Sequence, residues 1–471
     1  MIALSNPILD VIEKTLSETS DVQYKSIPIS RGTLTIVFIN NIVEKRLLSF
    51  HLLEPLLHTL KSLDSMEAIQ DVICTPVTEI LNTPEEAIEK LLSGYAVITT
   101  DFDPRALCCD VSDYSSRNVQ KPDTDPVIKG PQEGFTESIE NNLSLIRKRI
   151  RNKDLIIKMF TLGTSSQTPV AVIYLQGAAP EKLVEHVLNK VSQLKTNVVL
   201  ETNYIEEEFK ERITLFDTVG NHEKPDVICA NLFEGRVAIM VEGSPSVAVL
   251  PYFFMENFQS PDDYYTNRYV VAAMRIFRYF SFVVSILLPA FYVALTTYHH
   301  SLVPMVFLFK LASARAGVPF PSIAEILLMI LFLELSREAG RRLPKSIGTT
   351  LSLVSTLILG ETALKAGLAS GGTIVIVGIY AVTTLINPKL VGPTIILSVI
   401  NVILSSIFGL HGFYLFFIMM IAHLASLDSC GYPYLYPMGT IGQNSSNSKD
   451  LLVRGKLKEI SYNTLGGKKK P

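Results

Sequence analysis

The chain contains no tryptophan, only five cysteines, and one 149-residue stretch, 279–427, that holds just 12 Asp, Glu, Lys or Arg. Without tryptophan, any aromatic belt at a membrane surface must be built from tyrosine and phenylalanine. The cysteines (Cys74, Cys108, Cys109, Cys229 and Cys430) are odd in number and fit no metal-ligand spacing. That excludes a disulfide scaffold and predicts reduced, buried thiols. The charge-poor stretch excludes a single soluble fold, because the other 322 residues carry 75 charged side chains. Within it, residues 279–309 and 390–427 have no charged side chain at all. Each run exceeds the ~20 apolar residues that a spanning helix needs.

Catalytic patterns are missing too. No HExxH, GxSxG or CxxC is found, and Gly371-Gly372 is not followed by the Lys and Ser/Thr of a phosphate loop. The expectation is a non-enzyme with no cofactor, no metal site and no nucleic-acid partner. The first residues, MIALSNPILDVIEKTLSETSD, lack a basic head and carry acids among their apolar positions. That predicts no cleaved signal peptide and a cytoplasmic N-terminal domain.

Residues before 279 have ordinary charge density and enough length for packed cores. Residues 33–39 (TLTIVFI) read as a strand, and 43–60 carry apolar residues at helical spacing. The same order recurs at 169–175 (PVAVIYL) and 180–194, with Pro180 near the helix start. A glycine and a short strand follow each unit, at 94–98 and 235–239, and the offsets from first to second strand are similar. These recurrences predict two related α/β subdomains, 1–112 and 152–258. Between them, 113–131 is rich in Ser, Asp, Pro and Lys and reads as a linker. Phe135, Ile139, Leu143, Ile146 and Ile150 then mark one face of an amphipathic helix, completing a segment bounded at 113–151. It ends in Arg147, Lys148, Arg149 and Arg151, where cations suit the negative end of the helix dipole. Two roles stay open for them: a solvated helix end bridging the subdomains, or contact with anionic lipid or a partner.

A junction, 259–278, leads to a membrane domain, 279–428, and a basic cytoplasmic tail, 429–471. Breaks at Gly, Pro and charges give about six candidate spans: 279–298, 321–337, 347–366, 372–387, 393–410 and 412–428. Residues 302–314, with Pro304 and Lys310, are short and interrupted and read as interfacial or re-entrant. The Gly371-Gly372 pair is expected to turn the chain between spans, and residues 409–412 to break the last apolar run. Cations cluster at alternate boundaries: Arg268, Arg275 and Arg278; Arg337, Arg341, Arg342 and Lys345; Lys389; and seven in the tail. This places the N-terminal domain and the tail in the cytoplasm, with Lys310 and Arg315 as exceptions.

Ionisable groups within the spans are the functional signal, since each costs roughly 2.5–3.5 kcal/mol to insert and therefore faces a partner or water. Glu361 and Lys365 lie on one helical face, as a self-neutralising pair or as pore lining. Glu325 and Glu334 are about 180° apart on one span, with Glu334 in reach of Arg337. His423 is expected to bond a neighbouring helix or to take part in gating.

Six phrases resemble the A-subunit family of GerA-type spore germinant receptors: Gly134-Phe135 leading to residues 142–149 (NLSLIRKR); 242–245 (EGSP); 260–265 (SPDDYY); 288–295 (LPAFYVAL); 317–321 (GVPFP); and 342–348 (RLPKSIG). The resemblance runs in order through nearly the whole chain. It implies a multi-pass protein of the spore inner membrane that works with a transporter-like, nutrient-binding B subunit and a lipoprotein C subunit. It further implies homo-oligomerisation into a nutrient-gated cation channel whose opening starts germination. By this resemblance residues 260–265 sit where the N-terminal domain meets the membrane. Asp262, Asp263, Arg268 and Arg275 are therefore the coupling candidates, with a plain helix start as the structural alternative. Glu325, Glu361, Lys365 and His423 are the pore or gating candidates. The alternative class is a secondary transporter, which the irregular 302–314 segment favours and the lack of repeat symmetry disfavours.

Overall fold

The computed structural model describes residues 6–59, 63–112, 129–210, 212–344, 358–438, 450, 454–456 and 465. The N-terminal half is an α/β domain holding two five-stranded sheets. The first contains β1 (Val22–Ile29), β2 (Gly32–Ile39), β3 (Thr78–Leu81), β4 (Tyr95–Thr100) and β5 (Asp103–Asp110), in the order β1-β2-β4-β5-β3. The second contains β6 (Leu155–Leu162), β7 (Thr168–Leu175), β8 (Gly220–His222), β9 (Val237–Val241) and β10 (Val247–Leu250), in the order β6-β7-β9-β10-β8. The two orders are the same permutation, and every neighbouring pair is antiparallel. The recurrent offsets in the sequence correspond to one pairing made twice: Ile36 stands opposite Ile98, and Val172 opposite Ile239.

The central strands are apolar on both faces because helices cover both faces. In β7, Val170, Val172 and Tyr174 enter one core with Leu183, Val187 and Val191 of the helix Glu181–Gln193. Ala171, Ile173 and Leu175 enter the other, with Ile139, Leu143 and Ile146 of the helix Ile139–Arg149 and with Ile228 and Leu232. This is the period-2 alternation of a strand buried on two sides. The first sheet is arranged alike. Leu34 and Ile36 pack under the helical run 45–58, while Val37 and Ile39 meet Ile8, Ile12 and Leu16. The last three sit at helical spacing on Pro7–Leu16, whose cap Asn6 accepts from the amides of Ile8 and Leu9. None of the five cysteines is in a disulfide. Cys108, Cys109 and Cys229 are buried as expected, whereas Cys74 is exposed.

One buried acid tests the second core. Glu206, 7% exposed, accepts from Asn221 Nδ2 at 3.1 Å, and desolvation is the main cause that raises its pKa. A raised folded value means that the proton is bound more tightly in the native state, so its contribution is complete in acid and lost as pH rises through that value. Glu206→Gln keeps the acceptor and mimics the protonated form. Its unfolding midpoint should match wild type below the ordinary Glu range and exceed it increasingly toward neutral pH. Unfolding curves across a pH series check this; a variant less stable at neutral pH would refute it.

The C-terminal half is helical. Arg268–Thr297 (30 residues) and Pro388–Phe408 (21 residues) are long and apolar enough to cross a membrane, and Gly371–Leu385 and Leu410–Ser426 are shorter apolar helices. Ser322–Arg342 and Met305–Arg315 complete this region with residues 358–365, while 345–357, most of the third candidate span, fall outside the described residues. The first long helix begins at Arg268, where Asn267 caps Tyr269 N, so residues read as a junction form its opening turns. Met305–Arg315 is 11 residues and buries none of them. At about 1.5 Å per residue it is too short to span. Gly371 and Gly372 do not turn the chain. They open a helix capped by Ser370, and the turn falls at Gly367, with φ of +67°. Gly372 lets neighbouring side chains come close instead: a Cβ there would lie 2.9 Å from Tyr292 Oη and 3.2 Å from Leu311 Cδ2. The last apolar run breaks at Gly409, whose φ of +63° suits glycine.

Candidate functional site at the domain junction

The α/β domain and the helices meet through an aromatic core and a buried ion network. Phe216, Tyr252, Phe254 and Phe258 of the domain pack with Phe282, Phe416 and Leu424 of the helices and with Tyr434 beyond them. Phe254 makes edge contacts with Phe216, Phe258 and Phe282 at centroid distances of 5.3–5.8 Å. Lys389, at the turn before the Val391–Phe408 helix, stands 5.8 Å from the Tyr252 ring.

The ion network begins at Pro261–Tyr264, a single 3-10 turn. Ser260 caps it, and Asp263 accepts from Ser260 N. The geometry is that of a capping box, so the plain helix-start reading of this motif holds. The same residues also reach outward. Asp263, 3% exposed, accepts from Arg275 Nε at 2.9 Å and from Arg278 Nη1 at 2.9 and 3.0 Å. Arg275 is fully buried and donates through Nη1 to Asp450 Oδ1 at 2.8 Å. Tyr264 Oη donates to Asp450 Oδ2 at 2.6 Å, and Arg454 Nη1 to the Asp263 carbonyl at 2.6 Å. Tyr265 Oη donates to Asp226, whose Oδ2 lies 3.4 Å from the fully buried Lys224 Nζ. One short turn thus ties together the first long helix, the tail and the second subdomain. Burial, ahead of neighbouring charges, raises the pKa of Asp450 and raises that of the Tyr264 phenol well above its ordinary value.

Of the coupling candidates, the structure brings Asp263 and Arg275 together. The Asp262 carboxylate accepts a long 3.4 Å bond from Lys129 N, and Arg268 stacks on its neighbour Tyr269 at 4.6 Å. Sequence reasoning had not singled out Tyr264, Tyr265, Asp226, Lys224, Asp450 or Arg454. The two tyrosines belong to the 260–265 phrase and could have been found there. Asp450 is one acid at the head of a basic tail and gives no signal.

The basic helix end divides. Arg147 is internal: Nε and Nη2 bind Asp21 Oδ2 and Oδ1 at 2.9 and 3.0 Å, with side chains 1% and 2% exposed. It bridges the subdomains without being solvated, and it is closed to lipid. Arg149 binds Glu133 at 2.6 Å, Lys148 is exposed, and Arg151 lines a cleft with Glu79, Glu86, Glu89 and Lys90.

The four pore or gating candidates also separate. Glu325 is fully buried, and its Oε2 accepts from Ser370 N at 2.9 Å and Thr373 Oγ1 at 2.8 Å, at the start of the Gly371–Leu385 helix. A carboxylate is favoured at that positive end. Its Oε1 lies 3.3 Å from Arg315 Nε without hydrogen-bond alignment, which gives the out-of-place Arg315 a partner. His423 Nε2 lies 3.1 Å from Thr214 Oγ1, so it bonds a loop of the α/β domain and not a helix. Glu334 pairs with Arg337 at 2.8 Å. Lys365 donates to Glu361 at 2.6 Å, and both side chains are exposed, at 72% and 60%.

Residues 10–464 match the family model described as Bacillus/Clostridium GerA spore germination protein. The chain is 34% identical over 452 residues to spore germination protein KA of Bacillus subtilis, covering 94% of this chain and 82% of that protein. It is 35% identical over 357 residues to spore germination protein GerLA of Bacillus cereus, covering 75% and 72%. Among solved structures it is similar to the N-terminal domain of the A subunit of the Bacillus megaterium spore germinant receptor GerK3, with 26% identity and a TM-score of 0.42, covering 54% of this chain and 96% of that one. With family phrases, relatives and a match spanning both halves in agreement, this chain belongs to the GerA spore germination protein family.

Proposed function

We propose that the chain is the membrane subunit of a nutrient germinant receptor and that it assembles with copies of itself into a nutrient-gated cation channel. In this reading about six segments cross the spore inner membrane, with the N-terminal domain and tail in the cytoplasm. A nutrient-binding B subunit and a lipoprotein C subunit complete the receptor. The observation that supports a pore is the Glu361–Lys365 pair, which points off the protomer from residues 358–365. A charged pair on a protomer's membrane surface is costly against lipid and is relieved in the water of a lumen shared between copies. Glu325 and His423, already engaged within the chain, serve packing and coupling. The junction network links the domain to the first long helix, as gating requires.

The short Met305–Arg315 helix favours the second reading, a secondary transporter. Nutrient-dependent current through the protein reconstituted with its partners distinguishes them: a transporter or a monomeric conductor would sink the ring channel. Glu361→Gln leaves Lys365 unneutralised in the lumen. It should lower cation conductance severalfold without loss of assembly, and unchanged conduction would remove Glu361 from the pore.

A further inference from the structure

The loop between the helix Asn203–Phe209 and β8 has an apolar tip that no described residue covers. Ile213 is 103% exposed and Leu215 is 41% exposed, and Arg212 beside them is also exposed. The loop is closed at its base, where Lys210 Nζ lies 3.0 Å from Asp217 Oδ1 and Tyr434 Oη donates to the Asp217 carbonyl at 2.9 Å. It is also held in place. Thr214 Oγ1 accepts from Phe216 N and lies 3.1 Å from His423 Nε2 in the last turn of Leu410–Ser426, while Phe216 is buried in the aromatic core. That helix has its own uncovered apolar face, on which Tyr414, Ile418 and Ile421 are 57%, 64% and 46% exposed. The positions i, i+4 and i+7 form a single stripe.

We infer that residues 212–215 anchor the α/β domain in the headgroup and acyl boundary of the same bilayer that receives the Leu410–Ser426 helix. The inference rests on the membrane reading above and adds a second, non-helical attachment to it. The occupant is lipid because the tip lies one residue from a bond to the terminal turn of a helix read as spanning that bilayer, at the level where the helix leaves it. Its chemistry fits as well: Ile213 and Leu215 suit the upper acyl chains, and Arg212 can reach headgroup phosphate. A loop braced at its base and tied to the helix would hold the domain at fixed height and orientation over the membrane.

The absence of tryptophan makes the test direct, because one introduced indole reports alone. Ile213→Trp, Ile418→Trp and Tyr24→Trp are made in the full chain and reconstituted into phosphatidylcholine vesicles with lipids brominated near the headgroup or near the chain end. Tyr24 lies on β1, an edge strand of the first sheet. The inference requires blue-shifted emission from Ile213→Trp and loss of most of its intensity with shallow bromines, while Tyr24→Trp is unquenched. Quenched Ile418→Trp with red, unquenched Ile213→Trp overturns the anchor and leaves the membrane reading intact. Blue-shifted but unquenched Ile213→Trp means that protein covers the tip, which also overturns it. Unquenched Ile418→Trp overturns both. Should Ile213→Trp fail to fold, Leu215→Trp carries the same readout.

Discussion

Replacing Arg147 with alanine is expected to destabilise the α/β domain by about 3–5 kcal/mol, the cost of leaving one partner of a buried ion pair alone. The guanidinium makes two bonds to Asp21 and further bonds to Thr19 Oγ1 at 3.3 Å and the Leu155 carbonyl at 3.1 Å. In the alanine variant, the Asp21 carboxylate keeps only the Thr19 hydroxyl, at 2.6 Å. Joint replacement of Arg147 and Asp21 by Met and Leu removes both charges and should recover most of the loss. Denaturant unfolding followed by labelling of the buried thiols Cys108, Cys109 and Cys229 reports both subdomains at once. A loss below about 1 kcal/mol, the range of a surface pair, would mean that the site is solvated.

Asp263→Asn is expected to uncouple the domain from the first long helix. It removes the charge that faces both Arg275 and Arg278, so Arg278 loses its anion and the buried Arg275 loses one of two, at a cost on the order of 3 kcal/mol. Arg275 keeps Asp450, and Arg278 keeps the Phe258 carbonyl at 2.9 Å, so the protein should still fold. Spores carrying the variant should contain the protein at near-normal level yet germinate much more slowly with nutrient. Asp262→Asn, one position earlier, leaves the Asp263 contacts to Arg275 and Arg278 in place and should slow germination far less. Equal behaviour of the two variants, with protein levels matched by immunoblot, would refute coupling through Asp263.

The strands at 33–39 and 169–175 were legible because continuous β-rich apolar runs and the helices that follow them are local signals. The shared sheet order was not legible. It depends on short edge strands such as Gly220–His222, which carry no periodicity of their own. Gly371-Gly372 suggested a turn because glycine usually marks one, but their backbone is helical and the deciding residues are Ser370 at the cap and Glu325, 45 positions away. Arg275 and Arg278 were legible as membrane-boundary cations. Asp450, the partner of Arg275, lies 175 residues downstream of it, and only folding brings it there. The Glu361–Lys365 pair was readable from its spacing, whereas its outward direction required the packed helices.

The helix Arg268–Thr297 is about 45 Å long at 1.5 Å per residue, against a hydrocarbon thickness of roughly 30 Å. About ten residues are therefore surplus to a crossing, and Asp263 holds the helix near its start through Arg275 and Arg278. In the proposed membrane reading this surplus would make the helix a crank, with its handle outside the bilayer and its shaft within. Because a hydrogen-bonded helix resists bending, a tilt given to the handle reappears at the other end with its sign reversed, and its amplitude is set by the ratio of the two arms. Pro289, which cannot donate to the carbonyl one turn back, is the place along the shaft where that motion can be redirected.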